Sequence, residues 1–579
     1  MTILLNPKQH DRYYPDERSR EIMRKTIEFF ENRGKAKIKE DDHKRVWYSE
    51  FLEFQKNNKI FAQLLTPASY GEDENYRWDT WRICEFNEIL AFYGLCYWYT
   101  WQVSILGLGP IWMSENEDAK KKAARLLREG AIFAFGLSER AHGADIYGSE
   151  MALTLQADET YRANGEKYYI GNGNEAEMVS IFGKLADENG NIPAYDMKNK
   201  DQYVFFVANY KHKNYELKKN IIDSQSYVAE FALHDYPITE DDILSKGEDA
   251  WSAALNTVNV GKYNLGWASI GICTHAFYEA IHHAAHRRLY EMYVTDFQHV
   301  KQNFVDAYTR LVAMKLFGLR TSDYMRIASK KDRRYLLYAP VMKMKTTTQG
   351  EVVINLLWDV IAAKGFENDM YFESAARDIR ALPKLEGTVH VNILLILKFM
   401  LNFFMNHKTY EEVPRLDQAK NDDFLFNQGP TRGLGRVRLH DWKPAFEKYN
   451  LPNVKIFLEQ IETYHLLGTK ATPNAEQQRD LDFMLSGIGQ IFALIVYAHL
   501  IIESAPIYNI DNDTLDQIFD FLVRDFSNFA LSLYQKSSTT PEQMEYCLKM
   551  IKKPNVDQER FNRVWNVVHS LKDAYQMNE

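Results

Sequence analysis

Glu386 stands in ALPKLEGTVHVNILLILKFML, residues 381 to 401, among mostly apolar neighbours, and Gly-Thr follows it. Apolar surroundings penalise the charged form of a carboxylate, which raises its pKa and brings its basicity toward proton transfer near neutral pH. Gly387 has no Cβ, so the backbone there can approach a bound molecule closely. The plainer alternative is a glutamate that caps a helix or pairs within a bundle, with Lys384 as the nearest partner.

A second group is HHAAH, residues 282 to 286, which imitates the zinc-binding HExxH pattern because His282 and His286 fall four apart on a helix face. His283 takes the place of the glutamate, and the sequence nominates no third ligand, so no metal is expected. No GxGxxG opens a helix after a strand, which removes support for a Rossmann nicotinamide site. The cysteines, Cys84, Cys96, Cys273 and Cys547, show no CxxC spacing. That argues against a disulfide framework or a cysteine-ligated zinc, and a reducing cytoplasm is the expected location.

The elements that must position these residues follow a clear order. From about 15 to 130 apolar residues recur three and four apart, as in WRICEFNEILAFYGLCYWYTWQVSI. Short β-prone runs then alternate with Asn, Gly and Asp turns, among them AIFAFGLSE, EKYYIGNG and QYVFFVANY. Helical periodicity returns after EDDILSKGEDAW and runs through VHVNILLILKFMLNFFMN, suiting a bundle. A polar Gly- and Pro-containing loop, KNDDFLFNQGPTRGLGRVRLHDW, leads into a last helical region. The expected fold class is α+β, mostly α, with a helical domain over 1–130, a β-barrel-like domain over 131–245, a four-helix bundle over 246–410 and an additional helical domain over 411–579.

Length and composition agree with several packed units, since 579 residues exceed the roughly 250–300 at which single cores stop growing. The net charge of -9 gives no general attraction to nucleic acid. The first twenty residues lack the basic start and apolar run of a secretory signal and are too acidic for a transit peptide, so export is not expected. FMLSGIGQIFALIVYAHLII, 483 to 502, carries no formal charge over a length that could cross a bilayer. Ser486, Gln490 and Tyr497 recur near helical spacing on one side, so a buried helix is expected rather than membrane contact.

Five strings on this order of domains resemble the acyl-CoA dehydrogenase flavoprotein family, over roughly residues 15 to 410. FGLSERAHGADIYGSEMALT is similar to the family's Thr-Glu-Pro-x-Ala-Gly-Ser-Asp segment through Ser138, Glu139, Gly143 and Asp145. NGEKYYIGNG resembles its Asn-Gly-x-Lys strand and turn, and FALHDYPITEDDILSKGEDAW the exit from its β domain. RRLYEMYVTDFQ keeps the spacing of an Arg and Gln pair at Arg287 and Gln298. GFENDMYFESAARDIRALPKLEGT keeps Gly365, Phe366, Arg377, Asp378, Glu386, Gly387 and Thr388 in place.

The resemblance implies FAD as cofactor and an acyl-CoA as substrate, with Glu386 as the base that takes the thioester α-proton while a hydride leaves the β-carbon for flavin. It further implies cofactor contacts from Phe135, Leu137, Ser138, Gly143, Ala144, Tyr169, Gly171, Arg287, Gln298, Ala362, Ala363, Thr388 and His390. Substrate contacts are implied at Ala144, Asn259, Lys262 and Gly387, and Arg287 and Gln298 are expected to reach the flavin of a neighbouring subunit, in a homodimer or homotetramer. Gly171 stands where the family usually carries a hydroxyl residue, Ala144 replaces a serine, Arg140 a proline and His390 a frequent glutamine. Ala362 and Ala363 replace a glycine pair.

The implied activity is α,β-dehydrogenation of a medium- or long-chain acyl-CoA, with electrons passing to an electron-transfer flavoprotein. An acyl-CoA oxidase on the same fold is the alternative enzyme. A flavin-bearing DNA-associated protein with little turnover is the alternative of another class, against which the acidic charge weighs.

Overall fold

A computed structural model of the chain describes residues 3–10 and 14–579. The chain divides into two compact units. Among the described residues, the first comprises 14–264, 417–432 and 578–579; the second comprises 3–10, 265–416 and 433–577. The segments read above as a bundle and an additional helical domain therefore fall largely in one unit.

In the first unit, helices such as Thr80–Tyr93 and Leu95–Met113 precede eight strands. These are β1 (Phe133–Gly136), β2 (Ala152–Leu155), β3 (Tyr161–Gly171), β4 (Met178–Ala186), β5 (Tyr203–Ala208), β6 (Tyr215–Asn220), β7 (Val228–Ile238) and β8 (Ile243–Lys246). They form one sheet in the order β6-β7-β3-β2-β4-β5-β8, with β1 beside β4 in parallel register, Phe133 opposite Met178. Among the described residues β6 and β8 do not pair with each other, so the sheet expected as barrel-like stays open in its hydrogen bonding.

Leu95–Met113 is apolar nearly all round, and almost every residue in it is buried, as a central helix requires. Its Gly107 packs so closely on β1 that a Cβ there would lie 2.6 Å from the Ala134 nitrogen. Two of its buried indoles share one partner. Asn87 Oδ1 accepts from the indoles of Trp98 (2.7 Å) and Trp101 (3.1 Å), while its Nδ2 donates to the Ile83 carbonyl and to Asn264 Oδ1. Such a satisfied network fixes one packing of the helices, because an unmatched member would keep its full desolvation cost. The segment 417–432 joins this unit through Asp422, whose N–H donates to the Trp78 carbonyl and whose carboxylate accepts from the Thr80 N–H.

The second unit is helical. Gln298–Arg326 packs on Thr347–Ile361 and on the C-terminal helices Gln490–Ile507 and Asn512–Tyr534, the last of which also packs on Pro452–Lys470. The uncharged stretch 483–502 lies inside it, within Asp482–Ile507, a helix apolar and long enough to cross a membrane but 89% buried. Bidentate ion pairs tie Gln298–Arg326 to Asn512–Tyr534: Arg310 donates to Asp525 at 2.8 and 2.9 Å, and Arg524 to Asp306 at 2.8 and 3.1 Å.

Two segments wind with π geometry, Met342–Thr346 and Asp482–Gly489. Such turns are rare and often sit at functional sites. All five residues of Met342–Thr346 are buried, including Lys343 and Lys345.

Candidate active site

Glu386 lies in the turn between Tyr371–Asp378 and Val389–Leu397. Its φ is 49° and that of Gly387 is 84°, so two consecutive residues occupy the left-handed region. For glycine that costs nothing, whereas a glutamate there carries about 1–2 kcal/mol of backbone strain. Such a conformation persists only where the surroundings over-determine it, and here they do. Lys343 Nζ donates to the Pro383 carbonyl at 2.7 Å and also to the Gly387 carbonyl. Asn392 Nδ2 donates to the carbonyls of Gly387 (3.1 Å) and Thr388 (3.0 Å).

The Thr388 side chain caps Val389–Leu397 by accepting from the Val391 N–H, which fixes where the helix begins. The Glu386 residue is half-buried, and its Oε2 is closed off from solvent. Lys384, the expected pairing partner, points elsewhere and bonds Glu351 at 2.6 Å. His390 is exposed on the first turn of the helix. Glu386 is thus a left-handed carboxylate held on a turn that a buried ammonium clamps.

The remaining candidates of this unit lie on other elements. Arg287 and Gln298 are exposed and flank a short hairpin, Arg288–Leu289 with Met292–Tyr293. The Val294 N–H donates to the Arg287 carbonyl at 3.0 Å and closes the hairpin base. Ala362 and Ala363 are exposed in the turn after Thr347–Ile361, Ala362 with φ 57°.

In the first unit a second set comes together where β1 and β3 end. Ser138 Oγ donates to the Tyr168 carbonyl at 2.7 Å, and the Tyr168 N–H donates to the Ser138 carbonyl at 3.0 Å. Phe135 stacks on Phe205, and the Leu137 N–H donates to the Phe135 carbonyl at 3.1 Å; Tyr169, packed edge-on against Tyr168, has φ 65° and is 58% exposed.

Beneath them lies a buried pair that residue spacing alone did not single out. Lys167 Nζ bonds Glu139 Oε1 at 2.7 Å and the Leu137 carbonyl at 3.0 Å, while Glu139 also accepts from Ser149 Oγ and the Glu150 N–H. Burial would raise the Glu139 carboxyl, but Lys167 and these donors outweigh it and hold it below the ordinary carboxylate value. Burial pushes the Lys167 ammonium down.

The loop above this pair leaves Gly143 and Ala144 exposed, and nothing lies within 4 Å of where a Gly143 Cβ would be. Gly171 is the opposite case. A Cβ there would meet Tyr99 Cε1 and Val103 Cγ1 at 2.7 Å, and the Tyr99 hydroxyl at 2.9 Å. Leu95–Met113 therefore occupies the room a larger residue needs. Asn172, next in line with φ 60°, is fully buried and donates to the carbonyls of Thr100 and Phe133, both at 3.0 Å. Asn259 is half-buried on Gly247–Gly261, and Lys262, which caps that helix, is 5% exposed.

Lys343 and Asn392 were missed by the sequence reading. The only signal was the pair of lysines in APVMKMKTTTQG, a stretch otherwise suited to burial.

Residues 249–401 match a family model described as acyl-CoA dehydrogenase, C-terminal domain. The chain is 23% identical over 300 residues to a 3-(aryl)acrylate reductase of Clostridium sporogenes, covering 52% of this chain and 76% of that protein. It is 22% identical over 377 residues to a short-chain-specific acyl-CoA dehydrogenase of Megasphaera elsdenii, covering 64% and 94%. Among solved structures, an acyl-CoA dehydrogenase complexed with FAD from Bacillus anthracis superposes with a TM-score of 0.69 at 16% identity, over 99% of this chain and 97% of that one. The C-terminal helices are thus part of the shared fold.

Proposed function

We propose that this chain, which belongs to the acyl-CoA dehydrogenase family and continues into an extra C-terminal region, is a flavin-dependent oxidoreductase that dehydrogenates a medium- or long-chain acyl-CoA between its α and β carbons. The observation that carries this reading is the Glu386 turn: a left-handed glutamate, clamped by Lys343 and Asn392, with one carboxylate oxygen sequestered.

Loss of the thioester α-proton builds negative charge on the carbonyl oxygen, so the step needs a base at the carbon and a hydrogen-bond donor at the oxygen. The Glu386 carboxylate takes the proton, and its own backbone N–H is the donor offered to the thioester oxygen. The electron pair of the broken Cα–H bond becomes the new double bond as the β-hydrogen leaves with its two electrons. Bound FAD supplies the acceptor for that hydride.

The first unit fits such a group. The space over Gly143 is open, the Tyr169 ring is presented to solvent, and the Ser138–Tyr168 bonds with the Glu139–Lys167 pair hold the surrounding backbone. Ser138, Gly143 and Ala144 would hold the cofactor chiefly through main-chain groups, with Asn259 and Lys262 assigned to the acyl-CoA.

Electron-transfer flavoprotein is the proposed electron acceptor and a homodimer or homotetramer the proposed assembly. Exposed Leu289, Tyr290, Met292 and Tyr293 on the hairpin between Arg287 and Gln298 give a second copy an apolar surface. The four cysteines are buried and form no disulfide, which suits a reducing cytoplasm.

Anaerobic titration of the purified, flavin-loaded protein with acyl-CoAs of graded length tests the reading. Bleaching by one length class, retained colour and absent bleaching in Glu386→Gln support it. A protein that takes up no FAD, or a Glu386→Gln variant that bleaches fully, refutes it.

A further inference from the structure

His282 and His286 sit one turn apart at the end of Asn264–His286, their ring centroids 4.2 Å apart. Beyond Gln558–His569 the chain returns to this helix and brings Asp573 to both rings. Asp573 Oδ1 is 3.5 Å from His282 Nδ1 and 3.3 Å from His286 Nε2. These spacings have a chemical meaning. Nitrogen and oxygen donors about 2.0–2.1 Å from a tetrahedral zinc ion stand about 3.3–3.4 Å from one another.

The outer contacts also suit a metal. His286 Nδ1 is 2.8 Å from the His282 carbonyl and donates to it, which leaves the Nε2 lone pair on the side of Asp573. A ring N–H held by a backbone carbonyl is the usual way a ligating histidine is oriented. The Gln576 side-chain amide nitrogen is 2.7 Å from His282 Nδ1 and 2.5 Å from Nε2; moved off Nδ1 by a cation, the amide can accept the Nε2–H through its oxygen. The Lys572 carbonyl, 3.1 Å from His282 Nδ1, is a further oxygen at the same place. All three candidate ligands are reachable from solvent, with side chains 31%, 51% and 57% exposed for His282, His286 and Asp573.

We propose that His282, His286 and Asp573 form a site for one divalent transition cation of the zinc class, which pins the C-terminal segment to the end of Asn264–His286. Two imidazoles, which are borderline donors, with one carboxylate oxygen make a ligand set that zinc accepts. The site is independent of the flavin chemistry proposed above, because neither histidine nor Asp573 has a part in it.

The test uses the full-length, tag-free protein, stripped with EDTA, desalted and titrated with Zn2+ by calorimetry, and with Co2+ followed by absorption to the red of any flavin bands. One equivalent bound, with at least a tenfold loss of affinity in both His286→Gln and Asp573→Asn and none in His299→Ala, supports the proposal. Slower proteolysis of the C-terminal segment on zinc addition, absent in Asp573→Asn, is the second expected readout. Binding that is sub-stoichiometric or equal in all variants overturns it, and so does a histidine–aspartate contact that responds to pH and not to metal.

Discussion

Lys343 Nζ lies 2.7 Å from the Pro383 carbonyl oxygen, which puts a fully buried cation directly behind the turn that carries Glu386. The same ammonium bonds the Gly387 carbonyl, so it spans both sides of the glutamate. Buried ammonium groups are costly unless their donors are used, and here they are used on the turn that Asn392 holds from its other side.

Lys343→Met removes the clamp and takes the lysine donor from the Pro383 carbonyl, while Asn392 Nδ2 still serves the Gly387 carbonyl. The expected loss is about 1–3 kcal/mol of unfolding free energy, the cost of one orphaned buried carbonyl, partly relieved by a neutral core side chain. Turnover should fall more than tenfold with little change in KM, because a misplaced base affects the chemical step. Steady-state kinetics beside urea unfolding checks this, and a variant with wild-type kcat would show the clamp to be irrelevant to catalysis.

Glu386→Gly and Glu386→Gln should separate strain from chemistry. Both lose the base and with it acyl-CoA turnover. Only the glycine relieves the left-handed residue, and it should raise stability relative to the glutamine variant by about 1 kcal/mol, measured by chemical denaturation. Equal stabilities would mean that the φ of 49° carries no strain.

Gly171→Ser puts a side chain into Tyr99 and Val103. Overpacking of this kind costs about 1–3 kcal/mol. The same serine combined with Val103→Ala should recover most of the loss, and a serine variant as stable as the parent would refute the packing account of this glycine.

Lys345 gives a pH signature. Burial pushes its ammonium down to about 8, with Arg310 adding to the fall and Asp525 opposing it. The unfolded chain has the ordinary lysine value near ~10.4. Between those values the unfolded state binds more protons, so this group's contribution is present above ~10.4 and is lost as pH falls through about 8. Unfolding free energies at several pH values from ~7 to ~9.5 should rise with pH in the wild type relative to Lys345→Met, over a full range of up to about 3 kcal/mol. Parallel curves would sink the prediction.

The helices and strands were legible because their periodicities hold over long segments, and the uncharged 483–502 run was readable as buried from its small and polar side chains. The string Glu386-Gly387-Thr388 marked a turn and a helix start, but nothing in it announced a left-handed glutamate. Lys343 escaped because ordinary helical spacing treats Met-Lys-Met-Lys as alternating with solvent. A π turn widens the ring to i→i+5 bonding and brings both lysines inside. Asp573 escaped for another reason: it is remote in the chain from HHAAH, and only the return of the C-terminal segment supplies the missing third ligand.

The ion pairs that join Gln298–Arg326 to the C-terminal helices bear on how this protein can be shortened. Cut after Leu416, the chain would take Asp525 from Arg310 and Glu503 from Arg320, leaving Arg310 with only the Gln349 amide and Arg320 with Asp323 and the Val413 carbonyl, on freshly opened hydrocarbon. The fragment that resembles its smaller relatives in outline would be an insoluble remnant, and a minimal functional version must be sought by trimming loops rather than by amputating the tail.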